Sequence, residues 1–159
     1  MSTVKVERYS TADKQRVLDL LRGADLPAED LTDEILKNFM VATDQDNAIV
    51  GVVGLEMYQE NGLLRSLAVD PAYRGQGFGR QLTRKIESFA WDNGIKTLYL
   101  LTMTAVDFFP KFEYQVIQRD QVPESIRKTA EFNNLCPVSA VCLFKVLDFA
   151  QRGENNSRK

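Results

Sequence analysis

Between two predicted elements the chain reads Asp70-Pro71-Ala72-Tyr73-Arg74-Gly75-Gln76-Gly77-Phe78-Gly79-Arg80. Gly75, Gly77 and Gly79 let the backbone take conformations closed to other residues and come close to a ligand. Amides presented by such a loop, with the positive end of a following helix behind them, form an anion cradle. Arg74 and Arg80 add charge at its rim. The segment reads as a pyrophosphate-binding loop. It is not a dinucleotide fingerprint, because that pattern needs a glycine at position 80 and an acidic residue where Thr102 stands. It is not a P-loop either, since Gly-Lys-Ser/Thr is missing.

The 159 residues fit one compact domain, read here as 1–150 with a polar tail over 151–159. Hydrophobic residues make up 44% and charged residues 26%, enough apolar material for a sizeable core. The formal net charge is −2 with no basic block, which argues against a nucleic-acid partner. No secretory start is visible, and the most apolar run, Ile49 to Leu55, is too short to span a bilayer. Two cysteines make no disulfide scaffold, so the chain reads as cytoplasmic. Histidine is absent, which removes the usual neutral-pH base, Ser–His triads and most zinc sites. Neither a metal nor a membrane is expected.

The elements that must position the loop follow from periodicity. Val4 to Tyr9 alternates as a short strand, and Ser10 with Asp13 opens a helix carrying Val17, Leu18 and Leu21. A second short helix holds Ile35, Leu36 and Phe39. Strands are predicted over Phe39–Thr43, Ile49–Tyr58 and Leu63–Val69, with turns at Asp44–Asn47 and Glu60–Gly62. From Gly79 a helix places Leu82, Ile86, Phe89 and Ala90 on one face and ends at Asn93-Gly94. Then come a strand over Thr97–Met103, a short aromatic helix over Ala105–Phe112 and a strand over Tyr114–Arg119. A helix over Pro123–Phe132 and a last strand over Ala140–Leu147 complete the chain. The fold class is α/β (α+β): a mixed, mostly antiparallel sheet flanked by helices. The crossover from Leu63 through Thr97 implies one parallel pair.

Arg74-x-x-Gly77-x-Gly79 behind Leu67-Ala68-Val69-Asp70-Pro71, with Ala105-x-x-Phe108-Phe109-x-x-Phe112 further on, resembles the GNAT acetyltransferases. The resemblance runs from Val4 to about Tyr114. It implies a GNAT fold, acetyl-CoA as co-substrate and transfer of its acetyl group to an amine. The loop residues Arg74, Gly75, Gln76, Gly77, Phe78, Gly79 and Arg80 would hold the pyrophosphate. The backbone of Leu67, Ala68 and Val69 would pair with the pantetheine where the two central strands splay. Phe108 and Phe109 would flank the CoA arm, and the oxyanion donor would be a backbone N–H near Leu67. Leu63–Val69, Leu98–Ala105 and Ile126–Phe132 with Leu135-Cys136-Pro137 are similar to small GNAT proteins of arsenic-resistance operons. More weakly, they are similar to N-acetylglutamate synthase. A glutamate-like or organoarsenical acceptor is therefore implied.

Leu63 stands where the family often carries its base, and Phe109 where many relatives carry an acidic tyrosine. Glu56 is the expected substitute base, weighed against a solvated strand-end glutamate. Tyr58 or a water is the expected acid, unless the thiolate leaves unassisted. Glu113 replaces a glycine usual before the next strand. Alternation places Arg65 on the face of Leu63 and Leu67, as a clamp for an acceptor carboxylate or as an ion-paired arginine. Arg127 is a second carboxylate candidate, and Thr102 and Thr104 line the site. Cys136 and Cys142 read as small buried residues rather than an arsenic-binding pair. Two alternatives stay open: a protein or peptide N-acetyltransferase, and a non-catalytic acyl-CoA-binding module. An exposed final strand could pair in a homodimer.

Overall fold

A computed structural model describes residues 3–103, 105–136 and 139–148. The strands are β1 (Lys5–Arg8), β2 (Met40–Thr43), β3 (Ile49–Tyr58), β4 (Asn61–Val69), β5 (Thr97–Thr102), β6 (Gln115–Val116) and β7 (Val141–Val146). They form one sheet in the order β1-β2-β3-β4-β5-β7-β6. Every pair is antiparallel except β4 with β5. The helices are α1 (Lys14–Gly23), α2 (Asp33–Leu36), α3 (Phe78–Asp92) and α4 (Glu124–Arg127), with single 3-10 turns between them.

Two faces of the sheet are covered. Phe78, Leu82, Ile86 and Ala90 recur every fourth residue, so α3 buries one stripe. Leu82, Ile86 and Ala90 of that stripe pack with Val53, Leu55, Leu64, Leu98 and Leu100. On the other face, Val17 and Leu21 of α1 and Leu36 of α2 meet Val52 and Ala68. Ile126 of α4 meets Leu63 and Tyr99 there.

Two irregularities decide the centre. First, β3 pairs Gly54 with Arg65 but Val52 with Ala68, so Ser66 and Leu67 together oppose Val53. This is a β-bulge, with Ser66 in the left-handed region at φ 61°. It breaks the alternation after Arg65. Leu63 stays on the α4 face, whereas Leu67 packs with the α3 cluster. The expected common face for Arg65 and Leu67 is thus corrected: the inserted residue turns Leu67 over. Second, β4 and β5 pair only from Asn61↔Thr97 to Leu63↔Tyr99, although both strands run on. They diverge, and a cavity opens between them.

Three expectations for the C-terminal part change. The helix over Pro123–Phe132 breaks after Arg127. There the Thr129 hydroxyl donates to the Ile126 carbonyl at 2.7 Å and competes with the helical ladder. It resumes as a π turn over Glu131–Leu135, closed by Cys136 N–H to the Glu131 carbonyl at 3.0 Å. The strand over Tyr114–Arg119 shortens to β6, followed by a 3-10 turn over Arg119–Gln121. The final strand β7 is not an exposed edge: it lies between β5 and β6, which removes the basis for pairing through it. Glu113 closes the turn after Phe112 in the left-handed conformation, φ 74°, so the geometry a glycine would take is kept without one.

A buried polar tie joins β7 to α3. Lys145 Nζ lies 3.0 Å and 3.1 Å from the Glu87 carboxylate, and the Tyr114 hydroxyl donates to it at 2.9 Å. Glu87 is 1% exposed and Lys145 4%. Removing one partner leaves a buried charge uncompensated. Lys145→Met is expected to cost about 3–5 kcal/mol in urea unfolding. The Lys145→Met/Glu87→Met double variant should recover most of that loss.

Candidate active site

The phosphate loop is organised by local backbone chemistry. Asp70 accepts from the Ala72 N–H at 2.9 Å and, with Pro71, starts a 3-10 turn over Pro71–Tyr73. Arg74 Nε donates to the Val69 carbonyl at 3.1 Å, which folds the loop back on β4. Gly75 and Gly77 take φ of 81° and 84°, in the left-handed region. Gly77 is the N-cap of α3 and offers no side chain, and the first helical bond is Gln81 N–H to the Gly77 carbonyl. The amides of Phe78, Gly79 and Arg80 therefore precede the ladder. The loop is exposed while the Phe78 ring is buried, anchoring the helix start. Gly79 is ordinarily helical; a Cβ there would touch the Phe108 ring at 3.4 Å.

The cavity between the diverging strands has a volume of about 670 Å³. Its walls are Leu64 to Leu67 on β4 and Leu100 to Met103 at the end of β5. Phe109 and Ala105 close one side, and Arg22 to Pro27 at the end of α1 close the other. Glu131 and Cys136 of the π turn complete it. Phe108 stacks against Phe109 edge-on at 5.1 Å. Thr102 lines the cavity, and its hydroxyl accepts from the Ala105 N–H at 2.9 Å. Thr104 lies outside the described residues.

Arg65 sits at the back of this cavity, its side chain fully buried. Its Nη1 and Nη2 meet Asp30 at 2.6 Å and 2.9 Å, and Nη1 also meets Glu56 Oε2 at 2.7 Å. Its Nε lies 2.8 Å from Glu131 Oε2 and donates to Ser66 Oγ at 3.0 Å. Every nitrogen of the fork is engaged, so Arg65 is the ion-paired arginine and not an acceptor clamp. The bulge at Ser66 holds it there. Glu56 is likewise corrected as a base. It is 8% exposed, gives one oxygen to Arg65 and the other to the Tyr58 hydroxyl, and is absent from the cavity wall. Burial first, then the bond to Glu56, raises the Tyr58 hydroxyl well above its ordinary value, and Tyr58 does not line the cavity either. Arg127 is exposed and outside the lining. Glu56, Tyr58 and Arg65 do come together, as one cluster behind the site.

Glu131 and Asp30 were missed by sequence reasoning. Glu131 falls inside a predicted regular helix and Asp30 between the two predicted N-terminal helices, with no pattern pointing either at Arg65. Burial raises the Glu131 carboxyl to about 7, against the opposing pull of Arg65. Burial, then Glu131, raises the Cys136 thiol to about 12, and burial raises Cys142 to about 11. Both cysteines are therefore held as neutral thiols. No cluster suited to a metal ion occurs among the described residues. No helix among them is long and apolar enough to cross a membrane.

A family model for the acetyltransferase (GNAT) domain matches residues 36–116, which span β2 to β6 and include the phosphate loop. The chain belongs to the GNAT acetyltransferase family. GNAT membership makes it an acetyl-CoA-dependent N-acetyltransferase and assigns acetyl-CoA as its co-substrate. Among curated relatives, an uncharacterized N-acetyltransferase of Chlorobaculum tepidum is 28% identical over 69% of this chain and 68% of its own length. The amino-acid acetyltransferase of Serratia proteamaculans is 26% identical over 83% of this chain but only 31% of that protein. The GNAT fold is shared with N-acetylglutamate synthase from Neisseria gonorrhoeae complexed with coenzyme A and N-acetyl-glutamate. The TM-score is 0.80 at 20% identity, over 93% of this chain and 36% of that one. A Mycobacterium tuberculosis protein in complex with CoA and NLQ has a TM-score of 0.78 at 23% identity, over 91% and 99% of the two chains.

Proposed function

We propose that this GNAT protein acetylates the amine of a small, amino-acid-like acceptor bearing an acid group. The carrying observation is the open-mouthed cavity between β4 and β5, which is lined by Leu67 on one side and Glu131 of the acidic cluster on the other and has an unpaired arginine at its rim. Acetyl-CoA lays its pyrophosphate on the amides from Arg74 to Arg80, as the exposed, cap-free start of α3 favours. Its pantetheine follows Leu67 to Val69 into the divergence, and the Leu67 N–H at the bulge serves the developing oxyanion. The acceptor enters from the α1 side.

Arg22, in the last turn of α1, is exposed and lines the cavity, and its guanidinium has no ion pair or hydrogen bond among the described residues. It supplies the guanidinium that Arg65 does not. A planar fork there suits a carboxylate, or the oxyacid head of an organoarsenical analogue. The relatives named for amino-acid acetylation support this class. Arg22→Ala is expected to raise the acceptor KM about tenfold, corresponding to about 1.4 kcal/mol for one exposed charge-assisted contact. Its kcat and acetyl-CoA affinity should be unchanged.

The reading is tested by following thiol release from acetyl-CoA over a panel of amino acids, amine-bearing arsenicals, polyamines and peptides. Turnover confined to acidic small amines is the expected result. Preference for peptides would replace it with a protein N-acetyltransferase. Tight CoA binding without turnover would make the chain an acyl-CoA-binding module.

A further inference from the structure

Three carboxylates, Asp30, Glu56 and Glu131, surround the single guanidinium of Arg65. One cation cannot neutralise two buried carboxylates, Glu56 and Glu131, and the half-buried Asp30 as well, and a proton is the available remedy. The three carboxylates are not equivalent. Asp30 is held by two guanidinium nitrogens. Glu56 is held by Arg65 and by the Tyr58 hydroxyl. Glu131 pairs through Oε2 with Arg65, but among the described residues its Oε1 receives only the Cys136 thiol, a weak donor, at 3.6 Å. Of the three, only Glu131 lines the cavity. The π turn places it there, and such turns recur at functional sites.

We infer that Glu131 is the proton acceptor of the acetyl transfer, taking its proton from the acceptor ammonium inside the cavity. This rests on the small-amine reading above and deepens it. The ammonium R–NH3⁺ gives one proton to the Glu131 carboxylate and becomes R–NH2. The nitrogen lone pair attacks the thioester carbon. As the tetrahedral adduct collapses, the C–S bond breaks and the nitrogen's second proton passes to the departing sulfur. The products are the amide, CoA-SH and protonated Glu131, which releases its proton to solvent. Arg65 is a positioning residue: it aims Glu131 and moderates its basicity.

The groups facing Glu131 are Arg65 on β4, Glu56 on β3, Asp30 before α2 and Cys136 at the end of the π turn. Arg119 acts on the neighbouring thiol. Burial is the largest influence and raises Glu131 from 4.5 to about 7, which suits a base at neutral pH. Because the folded value lies above the unfolded one, this carboxyl favours folding below about 4.5. That contribution is lost as the pH rises to about 7.

The test compares wild type with Glu131→Gln and Glu131→Asp, using the best amine of the panel. Wild-type kcat/KM should rise with pH with a midpoint near 7. Glu131→Gln should lose that limb and fall about 10²–10⁴-fold at pH 7, with acetyl-CoA affinity kept. An amine already neutral at the assay pH should lose less than about tenfold, a pattern that a purely structural role would not produce. Glu131→Asp should restore part of the rate and shift the midpoint. Wild-type stability, measured against Glu131→Gln by urea unfolding, should decline between pH 4.5 and 7. Turnover by wild type with the same pH profile in Glu131→Gln would overturn this inference alone. No turnover of any amine by wild type would overturn both it and the small-amine reading.

Discussion

Arg65→Ala is expected to remove about 3–5 kcal/mol of folding stability, the range for stripping one partner from a buried ion pair. The side chain is fully buried and its nitrogens meet Asp30, Glu56 and Glu131 within 2.6–2.9 Å. Truncation deletes the one cation and leaves the carboxylates facing each other across an apolar interior. Domains of this size are held by only about 5–15 kcal/mol in total, so the loss is large. Its pH dependence has a definite sign. Without Arg65 nothing opposes the burial that already raises the Glu131 carboxyl in the folded state, so its protonation relieves the penalty. The variant should approach wild type at pH 5 and fall furthest behind at pH 8. Arg65→Lys should sit between, since a point charge cannot reach all the acceptors of a planar fork. Urea unfolding at the two pH values decides the matter. A difference below about 0.5 kcal/mol at pH 8 would show that water, not the guanidinium, compensates the acidic cluster.

Gly77→Val is expected to weaken acetyl-CoA binding at least about 100-fold, about 2.7 kcal/mol at 1.36 kcal/mol per decade. A Cβ at Gly77 would meet nothing within 4 Å in the protein, so no internal clash is created. The effect arises on the ligand side. The φ of 84° is closed to a β-branched residue, and the added methyls project where a pyrophosphate must approach the amides of α3. Backbone strain of about 1–3 kcal/mol is tolerable for the fold. Calorimetry on the folded variant checks this. Gly77→Ala should fall between the two, because the strain remains while most of the bulk does not. Unchanged affinity in folded Gly77→Val would remove the phosphate loop from the donor site.

What could be read without a structure was whatever depends on neighbours in sequence. Gly75 and Gly77 need positive φ within a few residues of a helix start, and Phe78, Leu82, Ile86 and Ala90 repeat with the helical period. Those are local properties, so the glycine-rich loop and the crossover were legible from residue type and spacing, and the donor followed from the family resemblance they carry. The acceptor side was not. Alternation put Arg65 and Leu67 on one face, but the register of β4 on β3 inserts Ser66 and turns Leu67 to the other. That choice belongs to strand pairing, not to the residues alone. Glu131 had no periodic signal, and its side chain is aimed at Arg65 by a π turn that follows the break after Arg127. Asp30 reaches the same guanidinium from a position 35 residues earlier in the chain. The sequence by itself determined a glycine-rich turn that leads into the start of α3, because backbone conformation and helix polarity act over a few residues. Tertiary structure decided which carboxylate of the cluster lines the cavity, because a buried charge is assigned its partners by packing across the sheet.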